Sequence, residues 1–136
     1  MTETIRIEGL TRRYGRTVAV SGVDLSVGDS EILGLVGPNG AGKTTTLRML
    51  ATLLVPSSGD ASIMGHSVRR EPDRVRRVIG YMPDSFGVYD DMRVWEYLDF
   101  FARCYSIPGP RRKRLITDLL ELVDLAHKRE DYVQSL

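Results

Sequence analysis

The eight residues Gly37-Pro38-Asn39-Gly40-Ala41-Gly42-Lys43-Thr44 fill every fixed position of the pattern G-x-x-x-x-G-K-S/T. That spacing suits one chemistry, the grip of a nucleoside triphosphate. Its glycines let successive backbone N–H groups turn inward, where a Cβ would block the approach of a phosphate. Lys43 brings a point charge that reaches the β and γ phosphates, and Thr44 offers a hydroxyl to the Mg²⁺ that accompanies the nucleotide. A helix opening at Gly42 would aim its positive dipole end at the same oxygens. With Gly at about 7% of average usage, chance alone would produce such a pattern in well under roughly 1% of chains this long. The candidate nucleotide-binding residues are therefore Gly37, Pro38, Asn39, Gly40, Ala41, Gly42, Lys43, Thr44 and Thr45, with Thr44 also a candidate Mg²⁺ ligand.

Such a loop needs a strand before it and a helix after it. Glu31–Val36 is a nearly continuous apolar run, expected as a central strand of a parallel sheet. Leu47, Leu50, Ala51 and Leu54 follow at helical i, i+3, i+4, i+7 spacing. Earlier, residues 4–8 alternate apolar and polar, and 17–20 leading into 24–27 form a second candidate strand, so an antiparallel sheet is expected here. Gly28-Asp29 and Pro56-Ser57-Ser58-Gly59 read as turns, 60–65 as a short strand, and His66 as part of a turn. A helix with Pro72 at its first position should cover 72–77, and a strand 78–82. Helical periodicity returns over Val94–Tyr105 and about 111–126, broken by Pro108-Gly109-Pro110.

Composition narrows the class. The chain has 136 residues, 42% hydrophobic and 27% charged, with a net charge of +1, which fits a globular domain or part of one. Apolar runs stop after five or six residues, far short of the ~18 that cross a bilayer. The first residues lack a basic-then-apolar leader, so the chain is expected to stay where it is made. Balanced charge gives no general case for nucleic acid. The run Arg111-Arg112-Lys113-Arg114 is read as a solvated first turn of the last helix, with a phosphate- or lipid-facing patch as the alternative. The single cysteine, Cys104, closes no internal disulfide and is read as a small buried hydrophobe rather than a reactive thiol. Trp95, Leu98, Phe101 and Ala102 are assigned to packing, whereas Phe86, Val88 and Tyr89 are kept as interface candidates.

Beyond the loop, Arg13-Tyr14-Gly15, the stretch 22–32, the segment 53–65, Ile79-Gly80-Tyr81-Met82-Pro83-Asp84 and residues 85–98 together resemble the amino-terminal half of an ATP-binding cassette (ABC) transporter nucleotide-binding domain. The resemblance implies an α/β P-loop NTPase fold of ABC type, a partial domain. Its expected parts are an antiparallel β region at 1–30, a P-loop core at 31–84 and the start of a helical subdomain at 85–136. Tyr14 matches the position whose aromatic ring stacks on adenine, and a ring face is a sequence-tolerant platform for a base. Asp84 stands where the family has the glutamine that reaches Mg²⁺ and the attacking water. A carboxylate can hold a hard cation but adds negative charge beside the γ-phosphate. Asp84 is thus either a Mg²⁺-side residue or a solvent-facing cap.

The resemblance further implies ATP and Mg²⁺ as ligands, transmembrane subunits and a second nucleotide-binding domain as partners, and a peripheral place on the cytoplasmic face of the membrane. Residues 134–136 fall where the family's signature sequence begins. The Walker B carboxylates and the switch histidine match nothing in this chain, and neither His66 nor His127 takes the histidine's place. No catalytic residue is assigned, and the 136-residue chain is expected to bind nucleotide without hydrolysing it. Two other readings stay open: a soluble ABC-type ATPase acting on nucleic acid or the ribosome, and a non-hydrolysing nucleotide-binding module.

Overall fold

A computed structural model describes residues 3–85 and 87–136, which gather into two compact units, Met1–Met82 and Pro83–Leu136. The first unit is built on a four-stranded antiparallel sheet in the order β2-β1-β3-β4. Its strands are β1 (Glu3–Tyr14), β2 (Thr17–Gly28), β3 (Ser58–Ile63) and β4 (His66–Ser67). Ile7, Leu10, Val20, Ala61 and Ile63 close a core with Met49 of α1 (Lys43–Leu50), Val68, and Val75 of α2 (Pro72–Val78). Leu10, Met49 and Val75 are fully buried, each contributing about 1.5–3 kcal/mol of transfer free energy.

β1 and β2 extend well beyond their alternating stretches because bulges absorb the irregular ones. Their pairing slips between Ile7 and Arg12, where Gly9 and Gly22 both take positive φ. Thr11 stitches this bulge: its Oγ1 accepts from the Gly22 amide at 2.9 Å and donates to the Gly9 carbonyl at 3.1 Å. Gly59 is obligatory at the facing bulge, since a Cβ there would lie 2.2 Å from the Gly9 oxygen. The turn expected at 56–59 accordingly ends in strand, and His66 pairs with Ile63 in β4 instead of sitting in the turn. Asp60 pins β3 to β4, accepting from the Ser67 hydroxyl at 2.6 Å and from Arg70 at 3.2 Å. Burial pushes its carboxyl up, but the Ser67 hydroxyl, the Ala61 amide and the Arg70 guanidinium outweigh burial and hold it below the ordinary carboxylate value.

Two expected strands differ. Residues 31–36 pair with no strand among the described residues, and Ile32 and Val36 are 102% and 98% exposed. Residues 79–82 are likewise unpaired, with Val78 taken into α2. Apolar runs of this kind read as central strands, but a strand needs at least one paired neighbour, and every strand among the described residues belongs to the antiparallel sheet. The helix after the loop is also shorter than its periodicity, stopping at Leu50, and it buries Thr46 and Met49 while Leu47 stays exposed.

In the second unit α3 (Val94–Cys104) and α4 (Gly109–Leu122) bury Val94, Ile116 and Leu120, flanked by Trp95, Leu98, Leu125 and Val133. α4 begins two residues before the expected start because Pro110 fits a first turn, and it ends four residues early, just before Asp124 at φ 58°. Short 3₁₀ helices follow at Ala126–Lys128 and Val133–Ser135. Arg112 is no solvated residue: its Nε donates to Asp99 at 2.7 Å and Nη1 to the Ile107 carbonyl at 2.8 Å, strapping α4 to α3. Arg111, Lys113 and Arg114 remain exposed. Cys104 is exposed, not buried, because it lies on the side of α3 away from Val94, Leu98 and Ala102; Phe101 is 41% exposed and packs against the rings of Tyr97 and Phe100. Val88 and Tyr89 are exposed, and Phe86 lies outside the described residues.

Candidate nucleotide-binding site

The phosphate-binding loop is held from below by its last glycine. Gly42 caps α1 in the left-handed region at φ 95°, and a Cβ on it would fall 2.5 Å from the Ala19 carbonyl oxygen of β2 and 3.0 Å from the Val20 side chain. The residue is therefore glycine on two counts, conformation and space. Its own carbonyl starts the helix, accepting both the amide and the hydroxyl of buried Thr46 at 2.9 Å. Upstream, the Ala41 amide turns back to the Pro38 carbonyl at 3.2 Å, and Gly40 takes φ 82°.

Above this seat the amides of Lys43, Thr44 and Thr45 are the free donors that open any helix. The cap carries no side-chain acceptor and the first turn no acidic residue, so the positive end of α1 is uncompensated by the protein. Lys43 folds over the loop, its ammonium donating to the carbonyls of Gly37 at 2.5 Å and Pro38 at 2.8 Å. The hydroxyl of Thr44 is exposed on the same turn. A glycine-rich loop seated on β2, with an ammonium and three helix-opening amides above that seat, fits a polyphosphate. The exposed Thr44 offers a hard oxygen of the kind a Mg²⁺ ion would take.

Tyr14 ends β1 and is 50% exposed. The guanidinium of Arg12 lies 4.7 Å from the centre of its ring. Arg12 was not among the residues singled out from the sequence, although the i, i+2 spacing on a strand puts it on the face that carries Tyr14. Ala19 was missed for a better reason, since it acts through its carbonyl and no residue type announces that. Asp84 is exposed and belongs to the second unit, whereas the loop and Tyr14 belong to the first. Among the described residues no cluster of three or more His, Cys, Asp or Glu side chains could hold a metal, and no helix is long and apolar enough to cross a membrane.

A four-stranded antiparallel sheet seating a glycine-rich loop and helix, followed by a helical unit, defines an α/β P-loop class of protein. Residues 20–136 match the family described as ABC transporter, and the chain belongs to that family. It is 41% identical to the "Probable multidrug ABC transporter ATP-binding protein YbhF" of Escherichia coli, over 89% of this chain and 21% of that protein. Identity to the "Nod factor export ATP-binding protein I" of Ralstonia nicotianae is 36%, over 99% of this chain and 42% of the relative. With the "Daunorubicin/doxorubicin resistance ATP-binding protein DrrA" of Streptomyces peucetius it is 39%, over 98% and 41%. A solved structure described as "Structure of ATP binding subunit of ABC transporter" superposes with a TM-score of 0.79 at 26% identity, covering 95% of this chain and 54% of the other. The chain thus spans less than half the length of these curated relatives.

Proposed function

We propose that the chain is the triphosphate-gripping part of an ATP-hydrolysing subunit that drives transport across a membrane. Family membership supports this, as do relatives whose names describe them as ATP-binding proteins of multidrug transport, Nod factor export and daunorubicin resistance. The observation that carries it is the loop seated on β2 through Gly42, with Lys43 folded across its mouth.

In this reading Lys43 exchanges the carbonyls of Gly37 and Pro38 for β and γ phosphate oxygens. The opening amides of α1 hold the remaining charge, and Tyr14 receives the adenine. Mg²⁺, when bound, neutralises charge on the β and γ phosphates, and Thr44 offers it a hydroxyl. Residues 1–30 brace the base and loop, 31–84 hold the phosphates, and 85–136 face a membrane-spanning partner, with a second nucleotide-binding domain completing the site. The subunit sits on the cytoplasmic side of the membrane. Because the family's water-activating carboxylate and switch histidine match no residue here, these 136 residues bind ATP without turning it over.

Calorimetric titration of the chain with Mg·ATP and with Mg²⁺ plus inorganic triphosphate tests the reading. Lys43→Ala should remove most affinity for both ligands, whereas Tyr14→Ala should weaken ATP more than triphosphate. If both variants bound ATP as the parent chain does, the site would be misassigned.

A further inference from the structure

We infer that Arg12 is a positioning residue for the base: its guanidinium occupies one face of Tyr14 and thereby assigns the other face to the adenine. The inference rests on the reading of Tyr14 as the adenine platform. Three observations support it. Arg12 is anchored, with Nη1 donating to the Val55 carbonyl at 2.7 Å, so its position over the ring is fixed from the segment that follows α1. The neighbouring backbone is fastened to the same segment, the Arg13 amide donating to Ser57 Oγ at 3.0 Å and the Ser57 amide to the Thr11 carbonyl at 2.8 Å. Among the described residues no carboxylate pairs with Arg12, and its buried Nε has no hydrogen-bond partner.

Beside the Val55 carbonyl, the ring is the partner this cation has among the described residues, 4.7 Å from its centre. A guanidinium on one face draws electron density from the ring, which makes the opposite face a better stacking partner for an electron-rich purine. Tyr14 is 50% exposed, which leaves it accessible to a base. The arrangement is a stack of guanidinium, phenol and base in which the first two layers are preassembled. A phenol left free to turn about χ1 and χ2 would have to be immobilised as the base arrives, and the anchored guanidinium removes that cost beforehand.

The test is a double-mutant cycle on the full chain, titrated with Mg·ATP and with inorganic triphosphate. Arg12→Gln should weaken ATP roughly two- to five-fold, the range of an exposed cation–π contact, and leave inorganic triphosphate unchanged. Arg12→Lys, which keeps a cation over the ring, should hold the ATP preference close to that of the parent. Adding Arg12→Gln to Tyr14→Ala should cause no further loss, because the guanidinium acts through the ring. Arg12→Met keeps an apolar stem beside the phenol and removes the guanidinium together with its bond to Val55, so it stands in should the Gln variant lose its cooperative unfolding. Equal weakening of both ligands would reduce Arg12 to a structural role and overturn the inference, and tighter ATP binding would show the guanidinium masking the base's own face. The two readings separate cleanly: an unaffected Tyr14→Ala variant removes the platform itself, whereas an affected Tyr14→Ala with an unaffected Arg12→Gln removes only the inference about Arg12.

Discussion

Gly42 carries two constraints that one methyl group would violate together. Its φ of 95° is costly for any L side chain, and the Ala19 oxygen stands 2.5 Å from where the Cβ would be. Backbone strain of this kind costs on the order of 1–3 kcal/mol, and relief would require the loop to lift from β2. Gly42→Ala should therefore lower the urea midpoint of the first unit and weaken inorganic triphosphate in the same variant. Unchanged triphosphate affinity in a destabilised Gly42→Ala chain would mean that the seat serves folding alone. Gly40 offers the internal control: it too has positive φ, but a Cβ there meets nothing within 4 Å. Gly40→Ala should cost less than Gly42→Ala.

Among the elements, α3 and α4 are joined by an ion pair as well as by their apolar faces. Asp99 accepts from Arg112 at 2.7 Å and from Arg103 at 2.6 Å, and these two guanidiniums hold its carboxyl below the ordinary value of 3.8. A depressed folded value means that the unfolded chain takes up the proton first. The stabilisation is thus complete above the ordinary carboxylate range and is lost as pH falls through the folded value. Trp95, the only tryptophan, lies in this unit with its indole N–H 3.2 Å from Glu130, so its fluorescence reports the unit's melting. The melting temperature should fall below about pH 4, and Asp99→Asn should flatten that fall while lowering the plateau at neutral pH. A parallel pH dependence in the Asn variant would rule Asp99 out as the source. This staple also shows where sequence reading gives out. The glycine-rich loop, Pro72 at a helix start and the helical stripe containing Ile116 and Leu120 were legible, since each is written in local residue type and spacing. Arg112 was not, because nothing within its basic run distinguishes the one member that meets Asp99 across the helix pair. The fate of 31–36 was hidden for the same reason: the run reads as a strand, but pairing depends on partners distant in sequence.

Taken whole, the chain leaves apolar surface uncovered beside its best-formed site. Ile32, Val36 and Met82 are each more than four-fifths exposed. Purified chain should self-associate with rising concentration, and Ile32→Lys with Met82→Lys should shift its sedimentation toward monomer. Both changes fall on exposed positions, so the unfolding free energy should move by no more than about 0.5 kcal/mol each. Sedimentation identical to the parent's would show that these side chains are not the adhesive ones. The seat of the phosphate-binding loop has a further consequence for how much the sequence around it can vary. What stands 2.5 Å from the place a Cβ on Gly42 would take is a carbonyl, which every amino acid at position 19 would supply equally well. Tolerance there is set by strand register and not by side-chain identity: β2 can exchange Ala19 for other residues freely, but a one-residue insertion or deletion between Thr17 and Val20 would turn that carbonyl away and unseat the loop.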